Sequence, residues 1–361
     1  MIRYSRQFVD DDDIQSVVRV LKSDWLTQGP AVGEFEQALC DLTGAAHAVA
    51  VSSGTAALHS AMVAAGLGPG RTVYTSPLSF AASANCAAYV GARAELVDVD
   101  PATWNMDLQQ IPPQADAVIA VHYAGLPLDL GRIEGRANVV IEDAAHALGA
   151  LTPDGPVGNC AHSDMCCFSF HPVKSITTGE GGAITTNDAE LAARLRRFRH
   201  HNIIPPSPDR EPWEYDIPAA GFNYRLSDIQ AALGTSQLSK LDRFVARRNE
   251  IAERYRELLA GLPLTCPPAA PPGWRHSYHL FPVLTPQRAR VFAGLTDEGI
   301  GAQVHYVPIY RLGAREADPS RYPVTEHLYE GLLSLPVFPA LTDGEQDRIV
   351  TTLEKLTSGL G

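Results

Sequence analysis

One lysine stands out for the chemistry that its sequence surroundings would allow. Lys174 follows an apolar run, 165–170, that is short enough to be a buried strand, and it precedes a turn with glycines at 179, 181 and 182. Burial between such a strand and turn lowers the pKa of an amine. A deprotonated amine can attack an aldehyde to form an imine. The alternative is a solvated loop lysine, because few lysines are buried.

A turn of small residues could bind a phosphate. Ser52, Ser53, Gly54 and Thr55 lie between a strand-like run and a helical segment. The free N–H groups at a helix N-terminus, together with Ser and Thr hydroxyls, suit an anion of this kind. Small residues also cap many helices, so this signal is weak by itself.

Three side chains could surround an aromatic ring. Asp143 follows the apolar run 139–142 and could keep a pyridine nitrogen protonated, so that the ring accepts electrons. An aspartate that caps a loop is the commoner case. Phe80 could stack on the ring, although a core phenylalanine is the default. His146, three residues after Asp143, could be the third of these side chains. The alternative is a hydrogen-bonded histidine packed beside the sheet.

The order of these residues is more specific than any one of them. A small-residue turn is followed by an aromatic residue, a strand-end aspartate, and a lysine 31 residues after that aspartate. This order describes a pyridoxal 5'-phosphate (PLP) site of the aspartate aminotransferase type, known as fold type I.

The elements that would position these residues alternate between strands and helices. Helical segments such as 56–65 and 79–90 lie between most of the strand-like runs, which favours an α/β fold with a mostly parallel, seven-stranded sheet. In such sheets ligands bind at the carboxyl ends of the strands. We predict a large PLP-binding domain over residues 1–245. The strand-like runs are 48–51, 72–75, 95–99, 117–122, 139–142, 165–170 and 183–185.

The remaining segments predict helices at the start of the chain and a second domain at its end. Apolar spacing predicts amphipathic helices at 14–21 and 35–42, and a long helix from Ser227, a good N-cap, to Leu259. Strand and helix signals follow at 279–284, 287–298, 303–307 and 325–333, before a capping-box pattern at Thr342. We predict a smaller C-terminal α+β domain over residues 246–361.

Composition limits the possible partners. The 361 residues carry a net charge of −12, which argues against nucleic-acid or anionic-membrane surfaces. No apolar run is long enough to span a membrane, and the first residues lack a signal-peptide core. The six cysteines form no C-x-x-C pair, so we expect reduced thiols in the cytoplasm and no metal site.

The sequence resembles the DegT/DnrJ/StrS family of sugar aminotransferases. The resemblance covers nearly the whole chain and includes the Lys174, Asp143 and small-residue segments. The matching stretches are 26–30, 53–58, 142–149, 169–174, 179–182, 221–226, 303–306 and 334–336.

This resemblance implies a role for each site residue. Lys174 would hold PLP as an imine and shuttle the proton, Asp143 would pair with the pyridine nitrogen, and Phe80 would stack on the ring. Asn223 would reach the phosphate in the neighbouring subunit, so that the enzyme is a homodimer with shared sites. The other implied cofactor-binding residues are Gly54, Thr55, Ala56, His146 and Ser169. The implied substrate-binding residues are Leu26, Thr27, His171, Arg225, His305 and Tyr306.

The resemblance also suggests a substrate. Many family members have glutamine where this chain has His146, and the histidine version looks most like the aminotransferases of pseudaminic acid synthesis. Those enzymes use L-glutamate, through pyridoxamine phosphate (PMP), to aminate C4 of a UDP-linked 4-keto-6-deoxy-N-acetylhexosamine. Another keto sugar or a cyclitol is the alternative acceptor. The presence of Lys174 argues against a sugar 3-dehydratase of the family, which has histidine there. A non-catalytic regulator would be expected to have lost Lys174 or Asp143.

Overall fold

The computed structural model describes residues 1–206, 208–313 and 317–358. The helices are α1 (Asp11–Leu21), α2 (Pro30–Thr43), α3 (Gly54–Ala64), α4 (Ala82–Tyr89), α5 (Ala189–Phe198), α6 (Asp228–Leu238), α7 (Leu241–Leu258), α8 (Arg288–Asp297), α9 (Pro323–Gly331) and α10 (Asp343–Thr357). The strands are β1 (His47–Val51), β2 (Thr72–Thr75), β3 (Arg93–Leu96), β4 (Ala117–Val121), β5 (Val140–Asp143), β6 (Leu151–Thr152), β7 (Gly155–Pro156), β8 (Met165–Ser169), β9 (Gly182–Thr186), β10 (Phe281–Leu284) and β11 (Leu332–Leu335).

The central sheet has seven strands in the order β1–β9–β8–β5–β4–β2–β3. Strands β8, β5, β4, β2 and β3 run parallel to one another, and β9 is antiparallel to both of its neighbours. Every residue of β4 is buried, as expected for a strand covered on both faces. The seven strands are the seven that the sequence predicts, so the mostly parallel α/β sheet is confirmed.

The sheet register brings the cofactor-site segments to one edge. Val51 of β1 is paired with Gly182 of β9, and Gly182 is paired with Ser169 of β8. A Cβ atom at Gly182 would lie 2.4 Å from the carbonyl oxygen of Ser53, so only glycine permits this approach. Asp143 ends β5 beside Cys167 of β8. The turn after β1 and the ends of β5 and β8 therefore meet at the same edge.

The prediction of one long helix from Ser227 to Leu259 is wrong, because α6 and α7 are separate helices. Ser227 does cap α6 through a capping box with Gln230. The chain then turns at Lys240, whose Nζ lies 2.9 Å from Oδ1 of Asp13 in α1 and also contacts Asp10. No glycine or proline marks this turn. Tertiary contacts with α1 hold it, and local sequence does not encode them.

The C-terminal part packs around the antiparallel pair β10–β11. Its apolar cluster includes Ile251, Phe281, Leu295 and Leu353. The segment 303–307 forms neither helix nor strand, which corrects the structural signal predicted there. Gln303 makes only an isolated bridge with Ser334 of β11.

Helix α7 continues without interruption across the predicted domain boundary at 245/246. Its first turns pack in the cluster beside the sheet, through residues such as Phe244 and Val245. Its later turns pack in the C-terminal cluster, through Ile251 and Tyr255. Among the described residues, no helix is both long enough and apolar enough to cross a membrane.

Candidate active site

A cavity of about 680 Å³ opens at the edge of the sheet where β5 and β8 end. It is lined by the turn after β1, the ends of these strands, the lysine turn and the segment around Tyr306. Ten of the predicted site residues line it together: Gly54, Thr55, Phe80, Asp143, His146, Ser169, His171, Lys174, His305 and Tyr306.

Lys174 lies in a turn that the backbone holds closed. Its N–H donates to the carbonyl of His171 (2.8 Å), and the N–H of Thr178 donates to the carbonyl of Phe170 (3.0 Å). Burial lowers the pKa of Lys174 to about 8, although the nearby Asp143 carboxylate opposes this shift. Near neutral pH a sizeable fraction of the amine is therefore uncharged. That is the form that attacks a carbonyl.

Asp143 is a buried carboxylate held by two donors. The hydroxyl of Ser83 donates to Oδ2 (2.6 Å), and the backbone N–H of Ala145 donates to Oδ1 (3.2 Å). Ser79 is hydrogen bonded to Ser83 in turn (2.7 Å). In the described ranges no Lys, Arg or His side chain forms an ion pair with Asp143. The carboxylate is thus placed to pair with a cationic N–H group in the cavity.

The N-terminus of α3 forms another wall of the cavity. The Ser53 hydroxyl accepts a hydrogen bond from the Ala56 N–H (3.1 Å). The N–H groups of Gly54 and Thr55, at the first two positions of the helix, have no intrahelical acceptor. A Cβ atom at Gly54 would lie 2.8 Å from Cβ of Ser169, so glycine lets α3 approach the end of β8. These amides and the Ser169 hydroxyl suit a phosphate.

A group of histidines and Tyr306 forms the side of the cavity nearest the C-terminal part. The Tyr306 hydroxyl is hydrogen bonded to Nε2 of His146 (3.0 Å), and the His146 ring lies against that of His279 with centroids 4.3 Å apart. His305 is bonded through Nδ1 to Ser334 (2.9 Å), and its carbonyl accepts from Tyr123 (2.5 Å).

These three histidines are neutral near pH 7. Burial lowers the pKa of His146 and His279 well below the ordinary value, and Lys174 adds to the effect. Burial lowers the pKa of His305 to about 4. Burial also raises the pKa of Tyr306, so its phenol stays protonated. This side of the cavity therefore offers uncharged hydrogen-bonding groups.

Five predicted site residues lie outside this cavity. Ala56 is buried in α3, and its N–H is bonded to Ser53. Leu26 and Asn223 are exposed, Thr27 forms a bridge with Ser227, and Arg225 lines a second cavity of about 320 Å³. That second cavity also contains Arg196, Arg199, His200 and Glu36.

Two residues that line the first cavity, Tyr4 and His279, were not predicted from the sequence, and neither was Ser83, which contacts Asp143. Tyr4 comes from the start of the chain, and His279 precedes β10, so long-range packing brings both to the site. Ser83 lies one helical turn after Ser79, which a search for partners of Asp143 in the segment around Phe80 could have found.

The residues present fit PLP. The unpaired amides at the start of α3 suit its phosphate, the carboxylate of Asp143 suits its ring nitrogen, and the uncharged amine of Lys174 suits its aldehyde. Phe80 lines the cavity yet is 61% exposed, so its ring has a free face for stacking. All four features lie on the wall of one cavity that is large enough for the cofactor and a substrate.

Comparison with known proteins agrees with this arrangement. Residues 7–354 match the model of the DegT/DnrJ/EryC1/StrS aminotransferase family. The spore coat polysaccharide biosynthesis protein SpsC of Bacillus subtilis (strain 168) is 34% identical over 382 residues, covering 99% of this chain and 97% of SpsC.

Solved structures give the same result. PseC of Helicobacter pylori, an aminotransferase involved in the biosynthesis of pseudoaminic acid, has a TM-score of 0.90 and 30% identity, with 99% of both chains covered. Spr1654 of Streptococcus pneumoniae in its PMP form has a TM-score of 0.93 and 28% identity, with both chains fully covered, and its PLP form has a TM-score of 0.92. The fold is therefore that of the PLP-dependent fold type I enzymes. The chain belongs to the DegT/DnrJ/EryC1/StrS family and is a PLP-dependent aminotransferase.

Proposed function

We propose that this enzyme is a nucleotide-sugar aminotransferase. It moves the amino group of L-glutamate to C4 of a nucleotide-linked 4-keto-6-deoxy sugar, and UDP-4-keto-6-deoxy-N-acetylhexosamine is the preferred acceptor. The product would be UDP-4-amino-4,6-dideoxy-N-acetyl-β-L-altrosamine. The observation that carries the proposal is the neutral, hydrogen-bonding side of the cavity, formed by His146, His305 and Tyr306 beside Lys174. The similarity to PseC supports the acceptor class.

The charges of the cavity wall favour a hydroxylated substrate. Lys174 is the only Lys or Arg side chain among the described residues that line it, and Asp143 and Glu180 are acidic. A dicarboxylate such as glutamate is best bound by arginine, which pairs with carboxylates through two parallel hydrogen bonds. A sugar needs neutral donors and acceptors instead. Glutamate, the smaller substrate, would then be bound through few contacts.

Each catalytic side chain has a defined task. PLP, when bound, supplies an aldehyde carbon and a ring that accepts electrons. Asp143, fixed by Ser83 and Ala145, would keep the proton on the ring nitrogen. Nζ of Lys174, in its uncharged form, would remove the proton from Cα of glutamate and pass it to the carbon of the cofactor that bears the aldehyde in PLP. In the second half-reaction it would move a proton from that carbon to C4 of the sugar.

The PLP phosphate would be bound at the start of α3. The amides of Gly54 and Thr55 and the hydroxyl of Ser169 would be its donors, with the positive end of the helix dipole behind them. His146 would contact the ring beside Asp143, and His171, at the mouth of the cavity, would contact the substrate. Both substrates use the cavity in turn, so we expect ping-pong kinetics.

We further propose that the enzyme is a homodimer whose subunits complete each other's sites. Leu26, Thr27, Asn223 and Arg225 belong to segments that resemble the family's site motifs, yet none of them lines the Lys174 cavity of its own chain. Trp25, Leu26 and Phe222 are exposed apolar side chains in the same segments. Contact with a second subunit would bury them and bring Asn223 to the partner's phosphate. The six cysteines form no C-x-x-C pair in the sequence, which favours a reducing compartment such as the cytoplasm.

The test is a panel of acceptors for the PMP form of the enzyme, analysed by mass spectrometry. The panel holds UDP- and dTDP-linked 4-keto-6-deoxy sugars, the cyclitol scyllo-inosose, and a set of 2-oxo acids. We expect the fastest amination with the UDP-linked N-acetylhexosamine. Preference for a dTDP sugar or the cyclitol would assign a different acceptor to the enzyme. Preference for 2-oxo acids over every sugar would contradict the proposed function.

A further inference from the structure

A separate small cavity lies beside the turn that carries Lys174. Its free volume is about 10 Å³, roughly the room that one water molecule or one ion of similar size needs. Residues 172 and 174–177 of the lysine turn line it, together with residues of α6 and α7 such as Gln237 and Arg248. Among the described residues, only Lys174 lines both this cavity and the active-site cavity. We call it the arginine cavity.

Arg248 is a buried cation without an acidic partner. The residue is 1% exposed, and its Nη1 donates to the carbonyls of Val337 (2.8 Å), Tyr278 (3.1 Å) and His279 (3.4 Å). Its Nε and Nη2 make no hydrogen bond within residues 1–206, 208–313 and 317–358, and no carboxylate of these ranges forms an ion pair with it. Burial lowers the pKa of Arg248 to about 10. A buried charge with unused donors is unfavourable unless a partner binds it.

A second unused donor lines the same cavity. Ser175 directly follows Lys174 and is buried, and its hydroxyl makes no hydrogen bond to a residue that the structure describes. Arg6, from the start of the chain, also lines the cavity. None of the described lining residues is an aspartate or a glutamate. The arginine cavity therefore combines positive charge with free N–H and O–H groups.

Charge and size together indicate what this cavity would bind. A water molecule could accept hydrogen bonds from Arg248 and Ser175, but it would leave the buried positive charge uncompensated. A small anion accepts the same hydrogen bonds and also compensates the charge. Phosphate, sulfate and carboxylates have several heavy atoms and are too large for a space of about 10 Å³. A halide ion is a single atom only slightly larger than water.

We infer that the arginine cavity is a chloride-binding site in which Arg248 and Ser175 are the donors. The bound ion would connect α7 to the turn that carries Lys174 and would stabilise the folded enzyme. This site goes beyond the proposed function, because it takes no substrate and does not depend on which sugar the enzyme aminates.

The first experiment locates the ion. The PLP form of the enzyme is crystallised with sodium bromide in place of sodium chloride, and anomalous diffraction is recorded at the bromine absorption edge. Bromide substitutes for chloride and is distinguished from water by this signal. We expect an anomalous peak within hydrogen-bond distance of Arg248 and Ser175. Density for water without an anomalous peak would overturn the inference.

The second experiment measures binding in solution. Thermal unfolding of the PLP form is followed while sodium chloride replaces sodium gluconate at constant ionic strength, because gluconate is too large for the cavity. An ion that binds only the folded state stabilises it by mass action. We expect the melting temperature to rise by about 2 °C at chloride concentrations some twentyfold above the dissociation constant.

Two variants assign this response to the cavity. Arg248→Met removes the charge and should abolish the dependence on chloride. Ser175→Ala removes one donor and should raise the chloride concentration for half of the effect by about tenfold. The matched control is Arg254→Met, on the same helix, where Arg254 pairs with Asp347 and does not line the cavity. This control should respond to chloride as the wild type does.

A chloride response that survives in both Arg248→Met and Ser175→Ala would overturn the inference, since the ion would then bind elsewhere. A bromide peak without any chloride response in solution would indicate an adventitious ion only, and this too would overturn it. If Arg248→Met does not fold, Ser175→Ala is judged alone by the same shift in chloride concentration. All of these results leave the proposed function unaffected, because none of them measures amination.

Discussion

The Ser83 hydroxyl donates a 2.6 Å hydrogen bond to Oδ2 of Asp143, and this contact joins α4 to the end of β5. Ser83 is almost completely buried, and its oxygen is also bonded to Ser79. The carboxylate therefore has a fixed orientation before any ligand enters. Preorganised groups of this kind need no rearrangement during the reaction.

Replacement of Ser83 by alanine should slow the enzyme without preventing cofactor binding. A hydrogen bond to a charged group is worth roughly 1.5–3 kcal/mol, so we expect kcat to fall by about tenfold or more. The matched control is Ser60→Ala, which removes a buried hydroxyl that has no hydrogen-bond partner in the part of the chain that the structure describes. An equal effect of both variants would indicate that Ser83 matters only for packing.

Asp143 should act through its charge. Asp143→Asn keeps the size of the side chain, so we expect the protein still to bind PLP. Because loss of the partner of a buried cation costs about 3–5 kcal/mol, kcat should fall by about a thousandfold. Steady-state kinetics and cofactor content by absorbance measure the two effects. A variant that keeps its rate would show that ring protonation has another source.

Lys174 should bind PLP covalently, and the rate of attachment to apo protein should depend on pH. Burial lowers the pKa of Lys174 to about 8, and only the uncharged amine is nucleophilic. We therefore expect the rate to rise from pH 6 to about pH 8 and then to level off. After borohydride reduction, peptide mapping should find the pyridoxyl group on Lys174. Labelling of another lysine would contradict the assignment.

Shared active sites can be tested with two inactive variants. Lys174→Ala removes the amine from one cavity, and Asn223→Ala removes the residue proposed to reach the partner's phosphate. In a mixed dimer one site would keep both residues, so we expect up to about a quarter of wild-type activity after random subunit exchange. This estimate assumes half of the molecules to be heterodimers with one intact site each, by the symmetry of a two-fold dimer.

Sedimentation should show a dimer at assay concentration, and native mass spectrometry should confirm that subunits have exchanged. If the subunits exchange but activity does not recover, both residues belong to the active site of the same chain. An active monomer would reject the dimer proposal altogether.

His305 should affect the sugar half-reaction. Its Nδ1 is bonded to Ser334, which leaves Nε2 for the cavity. His305→Ala should slow reaction of the PMP form with the keto sugar by about tenfold, the effect of one or two lost hydrogen bonds. His327→Ala, a change at an exposed histidine on α9, is the control. An unchanged sugar half-reaction would mean that His305 serves packing alone.

The sequence was most informative where local pattern and chemistry coincide. The apolar runs of strands such as β4, β5 and β9 are buried on both faces, so hydrophobicity alone marks them, whereas β3 at the edge of the sheet is only partly buried. Asp143 directly follows one such run and Lys174 comes four residues after another, and strand ends at one edge of a parallel sheet must lie close together. These residues could be placed at one site without knowledge of side-chain contacts.

Residues brought to the site by long-range packing could not be predicted. Tyr4 and His279 lie more than 270 residues apart in sequence, and no local signal connects either with Lys174. The turn at Lys240 is fixed by Asp13 of α1 and by Asp10, which caps that distant helix, whereas the sequence around Lys240 is typical of a continuous helix. The segment 303–307 has strand-like composition, but only one of its residues bridges a strand.

Helix α7 gives the molecule a mechanical link between its two main apolar clusters. Phe244 and Val245 pack beside the sheet, and Ile251 and Tyr255 pack against β10 and α10, all on one uninterrupted helix of 18 residues. Unfolding of either cluster would leave half of this helix without packing, and isolated helices of that length are marginal in water. The two halves of the chain should therefore melt in a single transition, and a cut at 245/246 should leave two fragments that do not fold.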